Sequence, residues 1–217
     1  MQNPILIVSA PRSGSSLTSL LISRAGVFGG DTKKGNKWNR KGYFENLAIA
    51  DLEIEYLRRS DTEGLLKRFQ PINLDEPFPD FNVNVCRAIR QQGLTEGGRW
   101  YYKNPKTAML WRLWHRNFPF AKWVIVKRNR ADTIRSLKHT EFMDAYETDD
   151  QWNQFLDYYD SLLGDIENNC DSFTLDIDRV FSEGLPPVEE LFNFLGDLST
   201  DNVLECVEPS LWNYGNR

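Results

Sequence analysis

The sequence predicts an α/β domain spanning residues 1–217, three layers deep, with a central parallel sheet flanked by helices. Three observations point there. Short apolar or aromatic runs that read as buried strands recur along the chain, separated by segments with helical spacing of apolar residues. Strands separated by helices join in parallel, and a parallel sheet needs cover on both faces. Finally, 217 residues with 41% apolar and 13% aromatic side chains suit one large domain with a sizeable core and exclude wholesale disorder.

The elements follow in order. Ile5–Ser9 is a short β-branched strand, and a glycine-containing turn leads into a helix over Ser15–Arg24 with Leu17, Leu20, Leu21 and Ile22 as its apolar set. Gly26 and the Gly29-Gly30 pair close that unit, and Asp31–Lys41 is a basic loop. Asn46–Arg59 is a helix; Ser60–Pro79, with three prolines, is a loop or lid region. Phe81–Gln92 is a helix closed by Gly93, and Arg99–Lys103 a second strand. Asn104 caps a helix over Pro105–Phe118, whose Trp111 and Trp114 read as core beside Leu110 and Leu113. Lys122–Lys127 is the third strand, followed by helices over Ala131–His139 and Asp149–Asn168. Phe173–Asp176 is the fourth strand, and Val188–Leu195 a last helix between Pro186-Pro187 and Gly196.

Several classes fall away. No apolar run approaches the ~20 residues of a membrane span. The opening residues lack a basic flank and turn polar at Ser9, which reads as a cytoplasmic protein. Three scattered cysteines and two histidines do not make a zinc site of ordinary spacing. The net charge of −5 hides a segregation: residues 1–139 carry 24 Lys+Arg against 12 Asp+Glu, or +12, and residues 140–217 carry 2 against 19, or −17. The basic part needs a counter-charge, either an anionic ligand or the chain's own acidic third. Nucleic acid is the weaker choice, because the bases are interleaved with buried elements rather than drawn into one stripe.

Ligands of open parallel sheets gather at the carboxyl ends of strands. The first such junction reads Pro11-Arg12-Ser13-Gly14-Ser15-Ser16. Gly14 lets the backbone approach a bound group, and the amides of Ser13 to Ser16 are the free donors of a helix start, which suit a phosphate. The hydroxyls of Ser15, Ser16 and Thr18 add donors, and Arg12 a cation. The loop is not GxxxxGK[ST], since Ser9 and Ser15 stand where glycine and lysine are needed, which argues against ATP hydrolysis.

This junction resembles the 5′-phosphosulfate loop of sulfotransferases, enzymes of P-loop-like fold that use 3′-phosphoadenosine 5′-phosphosulfate (PAPS) and release 3′-phosphoadenosine 5′-phosphate (PAP). The resemblance implies a second signature, an Arg at a later strand end with a Ser eight residues on, which together hold the 3′-phosphate. Arg128 and Ser136 stand so, within Arg128-Asn129-Arg130-Ala131-Asp132, which resembles the family's Arg-Asn-Pro-x-Asp. The resemblance thus implies nucleotide binding by Arg12, Ser13, Gly14, Ser15, Ser16, Arg128 and Ser136, with no metal.

For the base, the His found in many cytosolic members two residues after a strand-end Lys is missing here, since Lys103 is followed by Asn104, Pro105 and Lys106. This Lys-x-Pro form resembles glycan-type and bacterial members, which take a glutamate from the segment after the first helix. Gly42-Tyr43-Phe44-Glu45 resembles that element and makes Glu45 the candidate base, against the plainer reading that it caps the helix near Asn46. Arg12 is expected to act on the leaving phosphate and Lys103 on the sulfuryl oxygens, against a surface role for Lys103. Lys106 reads as a solvated helix residue, and Asp31 and His139 are reserve bases. Trp38 and Tyr43 border the basic loop as candidate pocket walls. The glycine-rich C-terminal element of the steroid and phenol enzymes is absent, and the hydroxyl or amine acceptor is unidentified. A P-loop-type nucleotide kinase and a non-catalytic nucleotide-binding module stay open at this point.

Overall fold

A computed structural model describes residues 3–59, 78–140 and 146–212. Its sheet comprises β1 (Ile5–Val8), β2 (Tyr101–Lys103), β3 (Lys122–Lys127) and β4 (Ser172–Asp176), all parallel in the order β2-β1-β3-β4. The helices are α1 (Ser15–Arg24), α2 (Leu47–Arg59), α3 (Phe81–Gln91), α4 (Pro105–Met109), α5 (Trp111–Asn117), α6 (Arg130–Lys138), α7 (Asp149–Asn169), α8 (Ile177–Glu183) and α9 (Pro186–Leu195). The expected three layers are therefore present.

Period-2 alternation divides the strand side chains between two cores. Leu6 and Val8, Tyr102, and Trp123 and Ile125 face α2 to α7; Ile5 and Ile7, Tyr101, and Val124 and Val126 face α1, α8 and α9. The first core is strongly aromatic: Trp114 stands edge-on to Phe81 at 5.1 Å and stacks on Tyr102 at 5.2 Å. Burial of each such large apolar side chain contributes about 1.5–3 kcal/mol.

Two differences from the sequence reading have physical causes. The helix expected over Pro105–Phe118 is two helices, because Leu110 leaves helical geometry (φ −100°, ψ 16°) with its amide shared by the carbonyls of Lys106 and Thr107. Its apolar pattern continues through the break, so periodicity does not reveal it. Helix α8 follows β4 with no linker, capped by Asp176, whose side chain accepts from the Asp178 amide at 3.0 Å. The Ser60–Pro79 lid lies, apart from Phe78 and Pro79, outside the described residues.

The chain's own acidic third supplies the counter-charge for part of the basic set. The acids of α7 and its flanks take up outward-facing bases: Arg130 meets Asp157 (2.7 Å) and Asp160 (2.6 Å), Arg112 meets Asp165 (3.3 Å), and Lys122 meets Asp171 (3.2 Å). Exposed pairs of this kind contribute only ~0–1 kcal/mol each. Eight other Lys and Arg side chains line one cavity. No helix among the described residues is long and apolar enough to cross a membrane.

Candidate active site

Because β2 lies on one side of β1 and β3 on the other, the chain changes winding direction between β1 and β3, where open parallel sheets leave a crevice at their carboxyl ends. A cavity of about 740 Å³ opens there, within the usual range for ligand sites. Arg12, Gly14, Ser15, Ser16, Glu45, Lys103, Arg128 and Ser136 all line it.

The loop after β1 is built on unusual backbone. Arg12 is left-handed at φ 67°, a sparsely populated region for a side chain of its size, and Gly14 follows at φ 90° as the cap of α1. Gly14 offers no capping side chain, and its carbonyl takes the Leu17 and Thr18 amides at 3.0 and 3.2 Å. The amides before them are the helix's unsatisfied donors. Packing beneath is equally demanding: a Cβ on Gly14 would meet Ile177 Cγ1 and Trp212 Cη2, each at 2.9 Å. Gly14→Ala is therefore expected to cost about 2 kcal/mol of stability and to weaken anion binding, checked by urea unfolding and titration with inorganic pyrophosphate.

One loop expectation needs correction. Thr18 is fully buried and its hydroxyl donates to the Gly14 carbonyl (3.4 Å); the Ser13 side chain, for which only the amide was expected to serve, is buried outside the cavity lining. Ser15 lies on the wall, its hydroxyl accepting from Ser9 at 3.0 Å, so Ser16 is the more accessible hydroxyl.

The second signature meets the first directly. Arg12 Nε donates to Ser136 Oγ at 3.0 Å, and Arg128 Nη1 donates to the Arg12 carbonyl at 3.2 Å. Ser136 is buried, so it is not a solvated helix serine. The Arg128 guanidinium lies 4.0 Å from the Trp212 ring centroid, and Trp212 stacks on Phe181 at 4.4 Å. Burial is the main force pushing Arg128 down to about 10, with Arg12 and Arg135 adding to it and Asp178 opposing. It remains a cation at neutral pH.

Glu45 does not cap α2. Asn46 does, accepting the Ile49 amide at 3.3 Å, while Phe44 at φ 58° turns the chain so that Glu45 Oε1 meets Lys103 Nζ at 3.1 Å. Lys103, expected as a strand-end cation, is almost wholly buried and also donates to the Tyr43 carbonyl at 3.2 Å. Burial lowers its pKa most; Glu45 acts against this, and Arg12 and Lys33 add to it. A carboxylate and an ammonium are thus held together at the carboxyl end of β2.

Lys106 is half-buried on the cavity wall rather than fully solvated. His139 also lines the cavity, and its Nδ1 donates to the Arg135 carbonyl at 2.7 Å. Asp31 lies outside the lining. Trp38 and Tyr43 are both wall residues: the Trp38 carbonyl accepts from Arg12 Nη2 at 3.3 Å, and the Tyr43 hydroxyl donates to Asn36 Oδ1 at 2.9 Å. Trp111 and Trp114 are core, as read.

Sequence reasoning missed Asn39, Tyr146, Phe155, Phe181, Glu208 and Trp212 in the lining. Nothing in the spacing marks Trp212. Asp178, two residues past the end of β4, takes the Asn129 amide on its carboxylate at 2.7 Å.

Comparison with known proteins agrees with this geometry. A family model described as the sulfotransferase family matches residues 4–182. Curated protein sequences give no match. Among solved structures, the sulfotransferase domain of the Synechococcus PCC 7002 olefin synthase superposes with a TM-score of 0.57 at 15% identity, covering 97% of this chain and 83% of that one. The sulfotransferase domain of the curacin biosynthetic pathway gives 0.60 at 14%, covering 97% and 80%. A sulfotransferase from Mycobacterium avium gives 0.57 at 11%, covering 93% and 66%. At such identities the superpositions speak to the fold, which is the P-loop-like one, and the family match speaks to ancestry over most of the chain. With a phosphate-type loop, an Arg–Ser pair eight residues apart and a carboxylate at the same cavity, the chain belongs to the sulfotransferase family.

Proposed function

We propose that the protein moves a sulfuryl group from PAPS to a hydroxyl or amine acceptor by in-line displacement. The observation that carries this reading is the direct contact of the two anion signatures: Arg12 bonds to Ser136, Arg128 to the Arg12 carbonyl, and all three line one cavity with Gly14 and Ser16. One molecule with phosphates at both ends fits such a site better than two separate anions do.

In this reading the α1 amides, Ser16 and Arg12 hold the 5′-phosphosulfate, and Arg128 with Ser136 holds the 3′-phosphate. The acceptor oxygen attacks sulfur as the bond from sulfur to the bridging phosphate oxygen breaks; the acceptor's proton passes to Glu45 and PAP leaves. Arg12 and the loop dipoles stabilise the charge that grows on the phosphate. Lys103 holds the Glu45 carboxylate in place and sits beside the sulfuryl oxygens. Positioning and charge supply most of the acceleration, as in phosphoryl transfer.

Arg128→Ala tests the assignment. It is expected to weaken PAP by about 1.5–3 kcal/mol, the scale of a lost hydrogen bond to a charged group. Adenosine 5′-phosphate, lacking the 3′-phosphate, should lose far less in the same calorimetric titration. Equal losses for both ligands would remove Arg128 from the 3′-phosphate.

A further inference from the structure

The cavity is more cationic than a nucleotide donor requires. Among the described residues its lining has eight Lys and Arg side chains against two carboxylates, Glu45 and Glu208. Lys41 is matched by Glu208 at 2.7 Å and Lys103 by Glu45 at 3.1 Å. Arg12 and Arg128 belong to the nucleotide end. Lys37 lies over the Trp38 ring, 4.9 Å from its centroid, and Lys33, Arg40 and Lys106 remain on the wall with no carboxylate partner among the described residues.

Their positions matter more than their number. The Lys33 amide donates to the Glu45 carbonyl at 2.8 Å and the Tyr43 amide to the Lys33 carbonyl at 3.0 Å, so Lys33 runs alongside the segment that carries the base. Its ammonium lies 4.6 Å from the centroid of the Tyr43 ring, and its field is among those felt by Lys103. Lys106 stands three residues beyond Lys103, its amide fixed by Asn104 Oδ1 at 3.0 Å. Lys33 and Lys106 thus come from the two chain segments that bring Glu45 and Lys103 together. The wall is completed by Pro105, Tyr146 and Phe155, which are apolar or aromatic.

A neutral acceptor would leave the half-buried Lys106 and the more exposed Lys33 and Arg40 as like charges on one cavity wall, the last two partly screened by water. An anion on the acceptor relieves that repulsion and gains charge-assisted hydrogen bonds. We infer that the acceptor is itself an anion: a hydroxyl compound with an apolar or aromatic body that carries a carboxylate or phosphate besides the hydroxyl it presents to Glu45. This rests on the reading of the site given above and narrows it to a substrate class.

The test is calorimetric, on full-length protein with and without saturating PAP. The small-molecule probes are 4-hydroxyphenylacetate, its neutral amide and tyramine; the peptide probes are Glu-Tyr-Glu and Gln-Tyr-Gln. Each anionic probe is expected to bind at least tenfold more tightly than its neutral partner, and tyramine more weakly still. Which of the two anionic arms binds tells a small acid from an acidic peptide. In Lys33→Gln/Lys106→Gln the preference should shrink to within about twofold. Equal binding of acid and amide, stronger binding of tyramine, or no binding of either anionic arm overturns the inference. So does a loss of PAP affinity in the double variant as large as the loss for the acid, because the cations would then serve the nucleotide. Failure of PAP to bind the unaltered protein sinks the donor reading instead, and the titrations without PAP still report the charge preference.

Discussion

Glu45→Gln is expected to lower kcat by about 10²–10⁴-fold, the range for loss of a general base. Gln keeps the size and an acceptor oxygen of Glu45 but cannot take the acceptor's proton. PAP affinity should stay within a few-fold, because the carboxylate points to Lys103 Nζ rather than to the Arg128–Ser136 pair. The measurement is PAP formation from labelled donor, with whichever acceptor probe binds. The variant also strips the buried Lys103 of its counter-charge, so its ammonium is pushed further in the direction that burial already drives it. Glu45→Asp separates the two effects, since it restores charge at a shorter reach and should recover part of the rate. An unchanged kcat in Glu45→Gln would leave His139 as the base at this cavity.

The largest effect on stability belongs to Glu53, a carboxyl of α2 with no exposure to solvent. It accepts from Tyr102 at 2.6 Å, Thr107 at 2.6 Å and the Trp114 indole at 2.9 Å. Burial outweighs these bonds and raises its pKa from 4.5 to about 7. Between those values the unfolded carboxyl has lost its proton and the folded one keeps it, so the folded state binds more protons. Stability therefore falls as pH rises through that window, by about 3 kcal/mol in all, and is level above it. Urea unfolding at pH 4.5 and 7.5 should show this loss in the parent and not in Glu53→Gln. The same slope in both would mean that the carboxyl does not titrate in that window. Glu53→Ala should cost about 3–5 kcal/mol, as three buried donors lose their acceptor and a void opens. The Tyr102 hydroxyl also takes Asn104 Nδ2 at 3.1 Å, which carries the damage to the residue next to Lys103.

What could be read in the sequence was local. The turn between Ser9 and Ser15 and the eight-residue step from Arg128 to Ser136 are chemistry at fixed spacing within or beside one element, and both reach the cavity. The four strands and most helices follow from periodicity and punctuation by glycine, proline and asparagine. Three features depend on the folded chain. The Leu110 break is invisible because the apolar pattern runs through it. The burial of Lys103 depends on Glu45, 58 positions away, and no strand-end lysine announces such a partner. Trp212 reaches Arg128 from beyond the span that the family model matches, so neither motif nor family points to it. Glu53 sat within an amphipathic helix as one acid among several, and only the meeting of α2 with β2, α4 and α5 gives it three donors.

The placement of the indoles has an optical consequence. Five of the seven tryptophans, Trp100, Trp111, Trp114, Trp123 and Trp152, are buried in the aromatic core, and the other two, Trp38 and Trp212, line the cavity. The buried set emits from a dry environment and supplies a constant blue-shifted background. Any change in fluorescence when a ligand enters therefore comes from the cavity pair, Trp212 with a guanidinium against its ring and Trp38 on the basic loop, so the chain carries its own binding reporter without a label.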